Sequence, residues 1–499
     1  MNDYLPAISS SINNTIGSLN FFLPEVSLVI GFLLVIIGDL FFSSKSPKLC
    51  FLLTLMTLLV AGFFNFKALD SVTMPIFGGM IRVDHQAVLF KLIICVASIL
   101  FVIFVGNNKP LQNNAKGTGD MYSILLAVHL GLSLMVMSAN LLMIYLSIEM
   151  VSVGSYLMVG YLSLSAKQSE AAMKYALFGA VCSAIMLYGI SLLYAFTGTL
   201  DLSDPAFITG ILSIPAFSWG LALAMVLVGI AFKLSLVPLH FWSPDVYEGA
   251  PTPVTAFLST APKVAGFALL IKILELFQPV GVAGLHNSFF SFNSLLAAIA
   301  ILSMIIGNFG AIWQDNVKRM LAYSSIGHTG FMLMALFVFS ESGFRALTFY
   351  LAIYVIMNMA AFIIVDEIEE RSGKENITDY KGLGKHIGTL MVGMVIVLIS
   401  LTGLPPTAGF TAKFLVFSSA LEAYNLSGSF LLLAMIITGA ISTLVSLFYY
   451  FKIPLNAFLR DNENSVQLLP ATAKTYISLF LVFLLMFFIL FPSGITQFL

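Results

Sequence analysis

Five charged side chains interrupt long apolar stretches of this sequence, and they are of types that can carry protons. They are Glu149, Lys174, Lys233, Lys263 and Lys413. Each charge at the centre of a membrane helix costs about 2.5 to 3.5 kcal/mol, so the five together cost about 10 kcal/mol or more. Burial and nearby positive charge lower the pKa of a lysine from about 10.4, whereas a nearby carboxylate raises it. A lysine whose carboxylate partner can move away is therefore a switch between proton acceptor and proton donor.

Two histidines also lie in apolar stretches. His129 fits equally well as a hydrogen-bonded packing residue and as a proton carrier. His328 ends the run Tyr323–His328, whose hydroxyl groups could hold water beside the ring. Because imidazole titrates near about pH 6.5, His328 joins the lysines as a candidate member of a proton relay.

The composition indicates what surrounds these charges. The chain has 499 residues, of which 59% are hydrophobic and 9% are charged, whereas a soluble chain carries about 25% charged residues. Its 23 Lys and Arg and 24 Asp and Glu cannot cover the outside of a globule of this size, so lipid must be the solvent. A water-soluble globule is excluded, and the net charge of -1 gives no indication of nucleic-acid binding.

Apolar runs of membrane-spanning length set the fold class. A bilayer-spanning helix needs about 20 mostly apolar residues. Such runs predict an all-α polytopic membrane protein with about 14 transmembrane helices, and no stretch alternates as a β-barrel strand would. With no Lys or Arg before Lys45, the first run is predicted to be retained rather than cleaved as a signal peptide. The predicted helices begin near Leu23, Leu49, Gln86, Met121, Leu141, Ala171, Trp219, Val254, Phe292, Val317, Gly343, Ile387, Phe430 and Tyr476.

Loop cations predict the orientation, because cytoplasmic loops are enriched in Lys and Arg. With the N-terminus outside, the outer loops hold only Lys67, Arg82 and Arg345. Both termini are therefore predicted on the periplasmic side of a bacterial inner membrane, or on the equivalent side of an energy-converting organelle membrane. The inner loops hold Lys45, Lys48, Lys109, Lys116, Lys167, Lys318, Arg319, Arg371, Lys374, Lys381, Lys385, Lys452, Arg460 and Lys474.

The remaining charges receive simpler interpretations. Lys91 and Lys272 lie near predicted helix ends, where a long stem can reach the membrane interface, so both are predicted to snorkel. The acidic run from Asp366 to Glu370 is predicted to be a solvated loop.

Helix breakers lie beside three of the buried lysines. Pro238 follows Lys233 and Pro262 precedes Lys263, while the run Thr402–Gly409 interrupts an apolar span one turn before Lys413. Proline in a helix removes one hydrogen bond and frees a carbonyl group. Irregular backbone at membrane depth is tolerated where it is buried in protein or lines a wet cavity, so these breaks predict a hydrated path.

The spacing of the breaks predicts two repeats. The fourth of five helices is broken near 233–238 in one unit and near 402–409 in the next. Five is odd, so the two units would have inverted topology, as in many secondary transporters. The predicted units are three N-terminal helices in residues 1–119, half-channels in 120–280 and 281–455, and a C-terminal loop and helix in 456–499.

Cofactor motifs are missing from the sequence. Cys50, Cys95 and Cys182 lie far apart and form no Cys-x-x-Cys pair, so they predict neither a zinc site nor an iron–sulfur cluster. Neither a P-loop nor a dinucleotide-binding glycine motif follows a strand, and the chain alone is predicted to bind no nucleotide.

Several of these segments are similar to a known family. They resemble the antiporter-like membrane subunits of respiratory NADH:quinone oxidoreductase (complex I), and most closely its subunit N group. The matching segments cover most of the chain from Glu149 to Lys413, and one departure is Pro262, where a small polar residue is expected. The segments that carry the resemblance are Phe232–His240, Pro244–Phe257, Lys318–His328, Gly403–Phe410, Glu170–Tyr175 and Leu187–Tyr194.

The resemblance implies a role in proton pumping driven by quinone reduction elsewhere in the complex. It assigns Glu149 and Lys174 to the family's charged residues of the fifth and sixth helices, and Lys233 and Lys263 to its central lysines. Lys413 would stand at the outlet of the second half-channel, and His328 matches a histidine of the tenth helix. Members of this kind hold no cofactor themselves. NADH, FMN, iron–sulfur clusters and quinone belong to partner subunits, and the expected partners are antiporter-like and small membrane subunits and the lipid bilayer.

The hypothetical relay starts at Glu149, which keeps Lys174 or Lys233 in its charged form. A neighbouring subunit then separates the glutamate from the lysine. The released proton passes through Lys263 and His328 toward Lys413. Three alternatives stay open. They are a subunit of a multi-subunit sodium/proton antiporter, a plastoquinone-linked relative of the same complex, and a non-pumping scaffold.

Overall fold

Nearly all of the described chain is helical. The computed structural model describes residues 12–13, 15–42, 48–69, 73–114, 116–162, 165–276, 292–460, 469–492 and 496–497. Two short strands, β1 (Met74–Ile76) and β2 (Ile81–Val83), pair antiparallel as a hairpin. The α-helices are α1 (Leu23–Phe42), α2 (Leu49–Lys67), α3 (His85–Gly106), α4 (Lys109–Gln112), α5 (Gly119–Met137), α6 (Leu141–Val159), α7 (Ala166–Thr197), α8 (Pro205–Leu212), α9 (Ala216–Lys233), α10 (Trp242–Gly249), α11 (Thr252–Leu258), α12 (Ala261–Glu275), α13 (Phe292–Ile312), α14 (Val317–Phe337), α15 (Glu341–Ser372), α16 (Leu383–His386), α17 (Gly388–Thr402), α18 (Ala408–Ser427), α19 (Phe430–Leu459) and α20 (Ala473–Leu490).

The helices account for every predicted membrane span. Within the described residues, 13 helical segments are long and apolar enough to cross a membrane, and one of them combines α11 and α12. The remaining predicted span consists of the shorter helices α17 and α18. The prediction of an all-α polytopic membrane protein with about 14 spans is confirmed. The largest difference in position is at α7, which begins at Ala166 rather than near Ala171.

Polar caps and glycines determine where several helices begin and end. The side chains of Asp84, Asn140 and Asn316 accept hydrogen bonds from backbone N–H groups in the first turns of α3, α6 and α14. The long helices α7 and α15 end at Gly198 and Gly373, which adopt the left-handed conformation that favours glycine.

The three predicted helix breaks are present. Helix α9 ends at Lys233, and Pro238 lies in the non-helical segment before α10. Helix α11 ends before Ser259, and α12 restarts with Pro262 in its first turn. Helix α17 ends at Thr402, and five residues separate it from the start of α18 at Ala408. The boundaries of the two repeat units stay a prediction, and residues 277–291 around one of them lie outside the described residues.

The lysine-bearing helix ends meet on one face of the molecule, which we call the lysine-rich face. Lys109 pairs with Glu370, and Lys318 Nζ lies 2.9 Å from a carboxylate oxygen of Glu369. Lys167 Nζ lies 3.1 Å from a Glu248 oxygen. These pairs join segments far apart in sequence at one end of the helices, as the predicted orientation requires. Lys45, which the orientation also used, lies outside the described residues.

The acidic run is not a solvated loop, and that prediction is wrong. Asp366 and Glu367 are buried in α15, which continues as a helix to Ser372. Lys474 of α20 has a fully buried side chain, and its Nζ lies 2.6 Å from Asp366 and also pairs with Glu370. The run tolerates burial because this distant lysine balances its charge, a contact that local hydropathy does not record.

The prediction that Lys91 and Lys272 snorkel is also wrong. The Lys91 side chain is buried, and its Nζ lies 2.6 Å from the buried carboxylate of Glu25 on α1. The Lys272 side chain is mostly buried, with Nζ 3.6 Å from Asp84. Both stems point into the protein because a carboxylate on a neighbouring element meets each ammonium group there.

Removing the buried ammonium group of Lys474 is expected to destabilise the chain. In Lys474→Met, the carboxylates of Asp366, Glu367 and Glu370 would lose their buried counter-ion, and breaking a buried pair costs about 3–5 kcal/mol. The temperature at which this chain is lost from the detergent-solubilised assembly measures the effect. The control is Arg345→Met, which breaks a pair with Glu341 in which both side chains are exposed, and exposed pairs contribute about 1 kcal/mol or less. Equal losses in the two variants would contradict the prediction.

Candidate functional site

Three of the predicted lysines are buried at the helix breaks. Lys233 is the last residue of α9, Lys263 lies in the first turn of α12, and Lys413 lies in the second turn of α18. All three side chains are buried. A helix end leaves backbone carbonyls that the helix itself does not use, and Lys413 binds one of them, whereas Lys233 and Lys263 bind oxygens of neighbouring intact helices.

Lys233 is held by a hydroxyl group rather than by a carboxylate. Its Nζ donates to Ser152 Oγ of α6 at 3.1 Å and lies 5.9 Å from the centre of the Tyr175 ring. Glu149 is one helical turn before Ser152, close enough to interact electrostatically with Lys233, but its carboxylate accepts a hydrogen bond from Ser183. The predicted Glu149–Lys233 pair is therefore near but not in direct contact.

Lys174 occupies a different place from the one expected. Its side chain is 36% exposed, and Nζ lies 2.7 Å from Asp245 and 2.8 Å from Glu170. Asp245 also binds Arg319 at 2.6 Å, so Lys174 belongs to a charged cluster on the lysine-rich face and does not contact Glu149. The 32 residues of α7 span about 48 Å, longer than the hydrocarbon core of about 30 Å. An early lysine in so long a helix can therefore lie outside the apolar layer.

Lys263 has three neutral oxygen acceptors. Its Nζ donates to the Ser325 carbonyl at 3.0 Å, to Ser325 Oγ at 2.6 Å and to Thr329 Oγ1 at 2.9 Å. The side chain is fully buried, and within the described part of the chain no carboxylate pairs with it. Ser325 Oγ is in turn 2.8 Å from the hydroxyl of Tyr354. The ammonium group thus begins a chain of hydroxyls that can both donate and accept protons.

His328 continues this polar row on the same helix, one turn after Ser325. Its Nδ1 lies 2.7 Å from the hydroxyl of Tyr350, and its Nε2 lies 3.3 Å from the hydroxyl of Tyr450. The Tyr450 hydroxyl also hydrogen-bonds to Ser324. Both ring nitrogens therefore face groups that can exchange protons.

Lys413 closes the row across the second helix break. Its Nζ donates to the carbonyl of Thr402, the last residue of α17, at 2.9 Å, and lies 4.6 Å from the centre of the Phe331 ring. Phe331 is one turn after His328 on α14, and His328 interacts electrostatically with both Lys263 and Lys413. The structure thus places Lys263 and Lys413 against the helix that carries His328, and the relay through these three residues stays a prediction.

Four buried polar atoms in and after the first helix break need water. Ser235 Oγ, His240 Nδ1, Ser243 Oγ and the Tyr247 hydroxyl have no hydrogen-bond partner among the described residues. Buried polar groups are almost always hydrogen-bonded, to protein or to ordered water. The Tyr247 hydroxyl lies near Ser243 and near Ser325, the residue that binds Lys263. Water in this segment would therefore reach the Lys263 site.

Sequence reasoning missed most of the hydroxyl partners. Tyr354 and Tyr350 are spaced one helical turn apart, a signal that could have placed both on one helix face. Ser152 and Thr329 carry no such signal, because isolated hydroxyls are common in membrane helices. In the described residues no cluster of three or more His, Cys, Asp or Glu side chains could hold a metal ion.

The backbone of the second break requires glycine at position 403. Gly403 has φ +84°, and a Cβ added there would lie 2.5 Å from Lys413 Cδ. In Gly403→Ala, the left-handed backbone alone is expected to cost about 1–2 kcal/mol, and the added methyl group would displace the lysine stem. Thermal loss of the chain from the solubilised assembly measures this cost. The control is Gly388→Ala in α17, where a Cβ would meet nothing within 4 Å; a control as unstable as the test variant would refute the argument.

Comparisons with known proteins identify the family of this chain. Residues 138–442 match the family model described as NADH:quinone oxidoreductase/Mrp antiporter, transmembrane. The NADH-quinone oxidoreductase subunit N 2 of Chloroherpeton thalassium is 38% identical over 92% of this chain and 90% of its own length.

Solved structures share the fold along nearly the whole chain. A chain of respiratory complex I from Thermus thermophilus, solved with bound aureothin, is 28% identical, with a TM-score of 0.77 over 95% of this chain and 98% of that one. A chain of the Mrp complex from a Dietzia species superposes with a TM-score of 0.80 over 97% and 96%, but at 19% identity this likeness concerns the fold alone. The chain thus belongs to the NADH:quinone oxidoreductase/Mrp antiporter transmembrane family and, within it, to the group of NADH-quinone oxidoreductase subunits N.

Proposed function

We propose that this chain is a proton-translocating membrane subunit of a NADH:quinone oxidoreductase. The observation that supports this most is the buried row of Lys263, His328 and Lys413 with its tyrosine and serine hydroxyls, in a chain of this family. Its lysines are bonded to neutral oxygens rather than to carboxylates, and its hydroxyl groups can both donate and accept, so a proton can pass from group to group. Such a row has no evident use in a protein that only anchors its neighbours.

In the proposed mechanism, Glu149 and Lys233 form the input of the relay. When Glu149 approaches, it stabilises the charged form of Lys233; when a neighbouring subunit draws Glu149 away, Lys233 releases its proton. The proton passes to Lys263, then by way of Ser325 and the tyrosine hydroxyls to His328, and leaves through Lys413. Lys174, bound to Asp245 and Glu170 on the lysine-rich face, is proposed to serve the entry side rather than to pair with Glu149.

The energy for this transfer must come from outside the chain. Each proton moved outward works against about 2.3 kcal/mol per 100 mV of membrane potential. We therefore propose that NADH, FMN, iron–sulfur clusters and quinone are bound by partner subunits and that this chain performs no redox step. The lysine-rich face is proposed to be cytoplasmic, which puts both termini on the periplasmic side of a bacterial inner membrane.

A sodium/proton antiporter subunit is the second candidate, because the family model and the Mrp fold include that class. The 38% identity to a subunit N over nearly the whole chain favours the redox-driven complex. Purification of the native assembly distinguishes the two. Flavin and iron–sulfur subunits are expected to co-purify. The absence of both from an intact assembly would favour the antiporter. The absence of the flavin subunit alone would favour a plastoquinone-linked relative.

Loss of the Lys263 ammonium group is expected to uncouple proton translocation by this chain from redox turnover. In Lys263→Met, the Ser325 and Thr329 oxygens lose their proton donor, and the proton-to-electron ratio of the complex in proteoliposomes should fall. Glu149→Gln and Lys233→Ala should lower the ratio as well, because they remove the input pair. The control is Lys381→Met, an exposed lysine on the lysine-rich face. An unchanged ratio in assembled Lys263→Met complexes would refute the proposal.

Tyr247 is expected to join the entry water to the Lys263 site. In Tyr247→Phe, the ring remains but the hydroxyl near Ser243 and Ser325 is lost. Proton delivery should therefore slow by about 100-fold or more, the lower end of what a lost proton-transfer group costs. Stopped-flow measurement of proton uptake in reconstituted complexes gives the rate. Tyr122→Phe, a buried tyrosine on α5 away from this segment, is the control. Equal rates in the two variants would contradict the entry route.

A further inference from the structure

A second buried group of titratable residues lies in the N-terminal helices, away from the relay. Glu25 of α1 and Lys91 of α3 are both buried, and the Lys91 ammonium group lies 2.6 Å from a Glu25 oxygen. Both residues are within about two turns of the helix ends opposite the lysine-rich face. None of the relay steps proposed above uses this pair.

His129 lies deeper on α5, in line with the pair. Its ring is fully buried, with Nδ1 2.8 Å from Ser98 Oγ of α3. At the other end of the contact between α3 and α5, Lys91 Nζ lies 3.6 Å from Met137 Sδ. From Lys91 to Ser98 is seven residues on α3, and from Met137 to His129 is eight on α5. These spacings correspond to about 10–12 Å along the helices.

Between these two contacts the buried polar atoms lack partners. Ser133 lies four residues from both His129 and Met137, so it occupies the same face of α5. Its Oγ and His129 Nε2 have no hydrogen-bond partner among the described residues, although both side chains are buried. Buried polar groups are normally satisfied by protein or by ordered water. The most direct partner for these atoms is a short file of water molecules beside Ser133.

A packing role alone does not explain this group. Replacing a buried ion pair by well-packed apolar residues is often neutral or stabilising, so a pair serving only to hold α1 against α3 gains nothing over leucine. It also gives no reason for a buried histidine with a free ring nitrogen on the same polar line. A proton carried between Lys91, water and His129 uses every one of these features.

We propose that Glu25, Lys91 and His129 form a second internal proton-binding site, joined by water at Ser133. The proton can move from Lys91 to Glu25, breaking an N–H bond and forming an O–H bond to leave a neutral pair, or through water to His129 Nε2 to form an imidazolium ion. The ligands of this site are protons and water. Only the expectation that the protonation of this site changes during turnover rests on the proposed function.

Infrared difference spectra of the assembled complex, recorded on adding NADH, test the site directly. The wild type is expected to show a carboxyl C=O band that shifts in heavy water, is absent in Glu25→Gln and moves in Glu25→Asp. Glu25→Asp identifies the band if Glu25→Gln fails to assemble. A spectrum with no band that depends on Glu25 would overturn the proposal.

The water file has its own test, which leaves the ion pair intact. Ser133→Ala is expected to slow hydrogen–deuterium exchange of that carboxyl band by about tenfold or more. The control is Ser123→Ala on the same helix, whose hydroxyl is already bonded to the Gly119 carbonyl. Equal exchange in the two variants would overturn the link to His129. These outcomes are separate from the proton-to-electron ratio in Lys263→Met, so failure of the relay and failure of this site can be told apart.

Discussion

The cost of placing a charge in an apolar medium governs the whole molecule. An unpaired charge deep in hydrocarbon is so expensive that each one must find a partner. The chain meets this requirement in two ways. Lys474 is matched with carboxylates on another helix, whereas Lys263 and Lys413 are matched with neutral oxygens. The first arrangement ties helices together, and the second leaves a proton free to move on.

The second helix break supplies an acceptor that an intact helix lacks. Most backbone carbonyls inside a helix already accept a hydrogen bond, whereas the carbonyls at a helix end have no partner within the helix. Thr402 is such an end, and its carbonyl accepts from Lys413. Gly403 allows the turn and gives the lysine stem room. The helix break and Lys413 therefore depend on each other, and a substitution at either should disturb the hydrogen bond between them.

The sequence alone predicts the helix breaks with their lysines well and the paired charges poorly. Hydropathy and prolines locate the spans and the three breaks, because each signal lies within a single helix. The partners of Lys174 and of the acidic run cannot be found this way. Lys174 meets Asp245, 71 residues away, and Lys474 meets Asp366, 108 residues away. Such contacts depend on how helices pack, which a window along the chain does not contain, and so Lys174 was placed too deep and Asp366 in solvent.

In the proposed mechanism, coupling enters the chain at Glu149. Glu149 is only half-buried on α6, while its proposed partner Lys233 is fully enclosed. The carboxylate bonds to Ser183 and the ammonium group to Ser152, so the two charges stand apart, each on a hydroxyl. In the proposed mechanism, the glutamate side chain exchanges Ser183 for Lys233. The half-buried member is the one that a neighbouring subunit can reach, and a change of charge there would act on Lys233 without any contact to the lysine itself.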